Sequence, residues 1–146
     1  MQGEYKRQMI MFIIMVIIGV CFNPMNALVY RSSDIYMSLT IFYGGLLMAF
    51  NMMWAHEVIH YLYMGMFNSM FFFIGLISSI AMALLLRSQL LVDDTQWLKR
   101  MIGHHSTALT TSHIIYRKTK NPKIKQFAKN IIVAQEKEIA QMKIMI

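Results

Sequence analysis

The sequence predicts an all-α protein: three transmembrane helices followed by an antiparallel helical hairpin. Two observations carry that prediction. The first two thirds of the chain hold three long apolar runs, and the last third repeats apolar residues at helical spacing on either side of an Asn-Pro break. A bilayer core about 30 Å thick takes roughly 20 apolar residues as a helix. The runs at about 9–30, 35–62 and 66–86 are each long enough, and the first carries no charge.

Composition agrees. Of the 146 residues, 57% are hydrophobic and only 14% charged, against roughly 25% charged in an ordinary soluble domain. The single cysteine, Cys21, lies in the first run. An intramolecular disulfide is therefore impossible, and a small apolar filler is the expected role. The first run has the basic start of a signal peptide, Lys6 and Arg7, but outruns an h-region and lacks a small-residue cleavage site. It reads as a retained helix, with a kink or an early end at Asn23-Pro24.

The chain divides into a membrane domain, 1–87, and a hairpin domain, 88–146. From Arg87 onward eleven Lys and Arg stand against four Asp and Glu, so this tail carries the whole formal excess of +7. Anionic lipid or an acidic protein surface is the partner such a tail suits. Nucleic acid is disfavoured, because Trp97, Tyr116 and Phe127 are spaced as core residues rather than as a stacking platform. Arg31, Arg87, Lys99 and Arg100 on one side outweigh Lys6 and Arg7 on the other, which places the tail in the cytoplasm by the positive-inside rule.

The first tail helix is expected over about 94–119. Asp93 and Asp94 suit its N-terminus; Trp97, Leu98, Met101, Ile102, His105, Ala108 and Leu109 form its stripe. Asn121-Pro122 ends the pattern and opens a second helix over about 122–145. Its stripe runs through Ile124, Phe127, Ala128, Ile131, Gln135, Glu138, Ile139 and Met142. With Asn121 as the pivot, His104 comes level with Glu138. Met101, His104 and His105 then face Gln135, Glu138 and Met142. Imidazole suits copper and zinc, and a thioether favours Cu(I).

These residues resemble a known family. The pattern Met101, His104, His105, followed after a Pro-containing turn by Ala134, Gln135, Glu138, Ile139 and Met142, looks like domain of unknown function 305, a ferritin-like helical family. Arg87-Ser88-Gln89 and Val92-Asp93-Asp94 resemble the junction of a membrane-anchored branch with three Met-rich spans. The resemblance implies a ferritin-like hairpin and, from some soluble members, copper or silver binding through His and Met. Gly103 departs from the proline usual before the two histidines, and Thr110 and Thr111 replace the Asp and Met frequent in soluble members.

The ligand set this implies is His104, His105, Met101, Glu138 and Met142, with Glu138 as ligand or as partner of a ligand. Copper is the expected metal, zinc ranks below it, and a metal-free hairpin is the alternative. His113, two turns nearer the pivot, is expected to be peripheral.

A second motif lies at 56–60, HEVIH. On a helix His56 and His60 share a face and can chelate a metal, with Glu57 as a candidate base. No third ligand is evident in another span, so a protease is disfavoured and no enzyme activity is assigned; a non-catalytic site with Met64 remains. The sixteen methionines otherwise read as flexible apolar packing. Gly44, Gly45, Ser78, Ser79, Ala81 and Ala83 would let spans approach closely. A lone hairpin cannot bury its own stripe, so a homodimer whose tails form a four-helix bundle is expected. The metal reading competes with a structural one, in which the hairpin is an oligomerisation or docking module of a membrane-associated assembly.

Overall fold

Polar caps and breaks divide the apolar runs into helices. The computed structural model describes residues 2–146. In order the elements are α1 (Gln2–Cys21), α2 (Pro24–Leu28), a 3-10 turn (Ser32–Asp34), α3 (Leu39–Met64), α4 (Ser69–Ser88), α5 (Asp94–Lys118) and α6 (Pro122–Met145); no strand occurs among the described residues. After α1 ends, the Asn23 side chain accepts a hydrogen bond from Asn26 N at 3.0 Å, and Pro24 opens α2. Proline has no N–H to lose in a first turn.

The chain folds as two units. One comprises α1, α3 and α4, with the connection as far as Leu91; the other comprises residues 23–38 with α5 and α6. The sequence places a single boundary at 87/88, whereas the hairpin unit also takes in 23–38, a stretch read there as the end of one span and the start of the next.

In the first unit backbone approach decides the packing. A Cβ on Gly45 would lie 2.5 Å from Val20 Cγ2, and one on Gly19 would lie 2.8 Å from Gly45 Cα, so α1 and α3 meet at glycine. Gly75 does the same between α4 and α3, where a Cβ would sit 2.8 Å from Trp54 N. Of the small residues expected at helix contacts, Gly45 and Ser79 are buried, while Gly44 meets nothing within 4 Å.

Outside, Ile10, Ile13, Ile14 and Ile17 of α1 and Phe73, Ile77, Ile80 and Leu84 of α4 are exposed; inside, Gln8 and Glu57 are buried. An apolar exterior with buried Gln8 and Glu57 among apolar core residues such as Val20, Ile41, Ala49 and Phe71 departs from the pattern of a water-soluble bundle. Two stretches, Tyr5–Leu28 and Ser69–Ser88, are long and apolar enough to cross a membrane. The middle run of the three expected spans is not one of them. Its helix, α3, has the length, but Asn51, His56, Glu57 and His60 interrupt its apolar character.

In the second unit α5 and α6 enclose Leu98, Ile102, Leu109, Ile139 and Met142, with Tyr36, Met101 and Ile132 packed against them. Asp93 caps α5 by accepting from Gln96 N at 2.7 Å, and Asn121 caps α6 by accepting from Lys123 N at 2.9 Å. Residues 23–38 cover one face of this pair. Asp34 is wholly buried; it accepts from Ser106 Oγ at 2.7 Å and pairs with Lys143 Nζ at 2.5 Å. Ser106 also accepts from Tyr30 N at 3.0 Å, the Tyr30 ring stacks on His113 at 4.7 Å, and Arg100 donates to Met25 Sδ. Gly103 lies beneath the same segment, 3.8 Å from Asp34 O for an added Cβ. The departure from proline at 103 thus falls where 23–38 docks.

Two predictions follow from this packing. Gly75→Ala forces a methyl against backbone and is expected to cost about 1–3 kcal/mol, whereas Gly44→Ala should be neutral; thermal melting in detergent, followed by circular dichroism, reads the difference. Lys143→Met strands the buried Asp34 carboxylate, at a cost of about 3–5 kcal/mol, while Asp34→Asn keeps a group that Ser106 can bond and should cost about 1–3 kcal/mol. Equal losses in the two variants would contradict the burial of Asp34.

Candidate metal centre

The uncovered face of the hairpin carries the expected ligands. His105 and Glu138 come together at Nδ1 to Oε2 3.0 Å across α5 and α6. The His105 side chain is mostly buried, at 14% exposure, while that of Glu138 is half exposed, at 49%. Beside them Trp97, Met101, Met142 and Met145 line an open cleft of about 260 Å3. Met142 is at once a lining residue and a member of the core.

Levelling the helices at Asn121 pairs His104 with Glu138, but the structure pairs His105 with it. The reason is helical phase. Adjacent residues lie about 100° apart around the axis, so only one of the two histidines can face α6. His104 is on the exposed side, with its ring centroid 6.0 Å from that of His105, and is not part of the cleft lining. Desolvation lowers the His104 pKa below its ordinary 6.5, helped by Arg100 and then His105.

The donor chemistry is soft. The Glu138 carboxylate lies beside the His105 ring without a hydrogen bond to Nδ1, and a neutral imidazole offers one ring nitrogen as a metal donor. With the Met101 and Met142 thioethers this makes a set suited to Cu(I). Structural zinc sites take four His, Cys or carboxylate ligands; among the described residues no group of three His, Cys, Asp or Glu occurs.

The second motif is built differently from its sequence reading. Glu57 is buried, and both its oxygens are engaged: Gln8 Nε2 donates to one at 2.7 Å and Asn68 N to the other at 3.1 Å. Asn68 caps α4, so the carboxylate sits at a helix N-terminus, where negative charge is favourable. Spent in this way, Glu57 is neither placed as a base for water nor open as a ligand. His56 and His60 stack one turn apart, with centroids at 5.7 Å, and His56 Nδ1 lies 2.9 Å from Gln8 Nε2. The same nitrogen also lies 3.4 Å from Glu57 Oε1, so the tautomer decides whether it accepts from Gln8 or donates to Glu57.

Sequence reasoning missed Gln8 and Asp34. Their partners are 48 to 109 positions away, and neither belongs to a periodic pattern. The signal available was scarcity. Glu4, Asp34 and Glu57 are the acids of the first 86 residues, and an acid in so apolar a stretch needs a partner.

The depressed His104 pKa gives a pH prediction with a fixed sign. Between its lowered folded value and 6.5 the unfolded chain binds more protons at His104 than the folded chain, so stability rises as pH is raised across that window and levels off above 6.5. Thermal melting is expected to show the rise and His104→Gln to flatten it; an unchanged slope in the variant would contradict the assignment.

Comparison with known proteins places these features in a family. The family described as Domain of unknown function (DUF305) matches residues 74–146, from the middle of α4 through α6. The chain is also similar to the uncharacterized protein L153 of Acanthamoeba polyphaga mimivirus, with 36% identity over 120 residues that cover 82% of this chain and 78% of the relative. No solved structure matches.

Proposed function

The chain belongs to the DUF305 family, and we propose that its hairpin binds a soft transition metal, copper as Cu(I), in metal handling or tolerance. One observation carries this reading: an imidazole and a carboxylate, His105 and Glu138 at 3.0 Å, in one cleft with the thioethers of Met101 and Met142. The His105 imidazole and the two sulfurs are the donors, with the Glu138 carboxylate beside the ring. Trp97, Ile115, Ile124 and Phe127 leave apolar surface exposed on the hairpin, and a second copy packed there would form a four-helix bundle. His104, one helical step round from His105, is the residue that copy would meet. In this reading α1, α3 and α4 are three spans, and the basic tail lies on the cytoplasmic side.

The test is metal content by mass spectrometry on detergent-purified protein after anaerobic Cu(I) loading. Stoichiometric copper is expected in the wild type, with a loss of tenfold or more, about 1.4 kcal/mol for each factor of ten, in His105→Ala and Met101→Ala. Copper retained in both variants, or absent from the wild type, would contradict the site.

A structural reading also has an observation in its favour. The same exposed apolar surface would be covered by a second copy with or without metal, making the hairpin an oligomerisation module. Light scattering in mild detergent separates the cases. A dimer that persists when copper is stripped and His105 is replaced favours the structural role, whereas a metal-dependent dimer favours the metal-binding role.

A further inference from the structure

Four polar residues, Arg7, His60, Asn68 and Ser69, meet where α1 begins, α3 ends and α4 begins. Gly65 ends α3 with φ +67°, and the short turn that follows brings Asn68 round to cap α4. That turn opens a cleft of about 610 Å3 with Arg7, His60, Asn68 and Ser69 in its wall and Met64, Met66 and Phe67 beside them. Among the described side chains no acidic one is part of that wall and none pairs with Arg7. His60 is set in place by stacking on His56, which is itself held by Gln8.

A second, open depression of about 430 Å3 shares Arg7 with the first and follows the flank of α1 along Ile10, Met11, Ile14 and Met15, with Lys6 at its head. A polar, cationic chamber thus continues into an apolar track. Tyr5, Tyr61 and Tyr63 are exposed around the same end of the unit, as aromatic residues are at the level of lipid head groups.

We propose that this pair of cavities binds one anionic phospholipid, its phosphate on Arg7 and His60 and an acyl chain along Ile10, Ile14 and Met15. An arginine fork matches a phosphate in geometry as well as charge, and the track supplies the apolar surface that a free phosphate would not need. The site is distinct from the basic hairpin and independent of copper. It rests on the membrane reading of α1, α3 and α4.

The experiment is native mass spectrometry of the full chain released in mild detergent from vesicles of phosphatidylglycerol and phosphatidylcholine in equal amounts. Flotation with the same vesicles reports insertion separately, so a failure of the membrane reading is seen as such. The wild type is expected to retain phosphatidylglycerol over phosphatidylcholine. Arg7→Gln/His60→Gln should cut that preference by roughly fivefold or more, the scale of one basic contact at a lipid surface, while Arg7→Lys keeps part of it. Lys123→Gln/Lys125→Gln/Lys129→Gln, on the hairpin, should leave it unchanged. Floating protein with equal retention of both lipids, or a preference lost in the lysine variant rather than the Arg7/His60 variant, would overturn the proposal. So would inorganic phosphate binding to protein in pure phosphatidylcholine vesicles with the same dependence on Arg7.

Discussion

Two antiparallel helices have two broad faces and can hide only the seam between them. Everything particular to the second unit answers that constraint. One face is covered by residues 23–38, and the tie that holds them is the buried Asp34 carboxylate, shared between Ser106 on α5 and Lys143 on α6. A charge with no exposed surface is costly unless paired, so this contact also fixes the register of the two helices. The exposed Arg31–Glu136 pair at 3.1 Å joins the same parts, but an ion pair in water adds little.

Covering one face leaves the other for chemistry. His105, Glu138, Met101 and Met142 line one cleft, whereas Gly103, Ser106 and His113 turn toward 23–38. The first unit follows a parallel logic with a buried acid of its own. Glu57 joins α1 through Gln8 and α4 through Asn68, which holds three helices together at one end. Gly19, Gly45 and Gly75 let their backbones approach. In both units a single carboxylate, bonded on each side, links segments that are distant in sequence.

Much of this was legible in the residues. Asp93, Asn121 and Pro122 marked the ends of α5 and α6, because caps and first-turn prolines act locally. The nearness of His105, Met101, Glu138 and Met142 followed from spacing around one turn. Phase was harder to read. A pivot misjudged by one residue rotates the choice by about 100°, and so His104 rather than His105 was levelled with Glu138. The roles of Asp34, Gln8 and Glu57 depend on partners far along the chain, which periodicity does not record. Glu57 in particular carried a local motif, HEVIH, whose chemistry its tertiary partners pre-empt.

The central claim is that one imidazole and two thioethers of the uncovered face form a soft-metal site. X-ray absorption at the copper edge of the Cu(I)-loaded full-length protein tests it most directly, because it reads the donor atoms themselves. The account expects a mixed shell of sulfur and imidazole nitrogen, with the sulfur contribution halved in Met101→Leu and the nitrogen lost in His105→Ala. A shell of nitrogen and oxygen alone, or one unchanged by both substitutions, would contradict it.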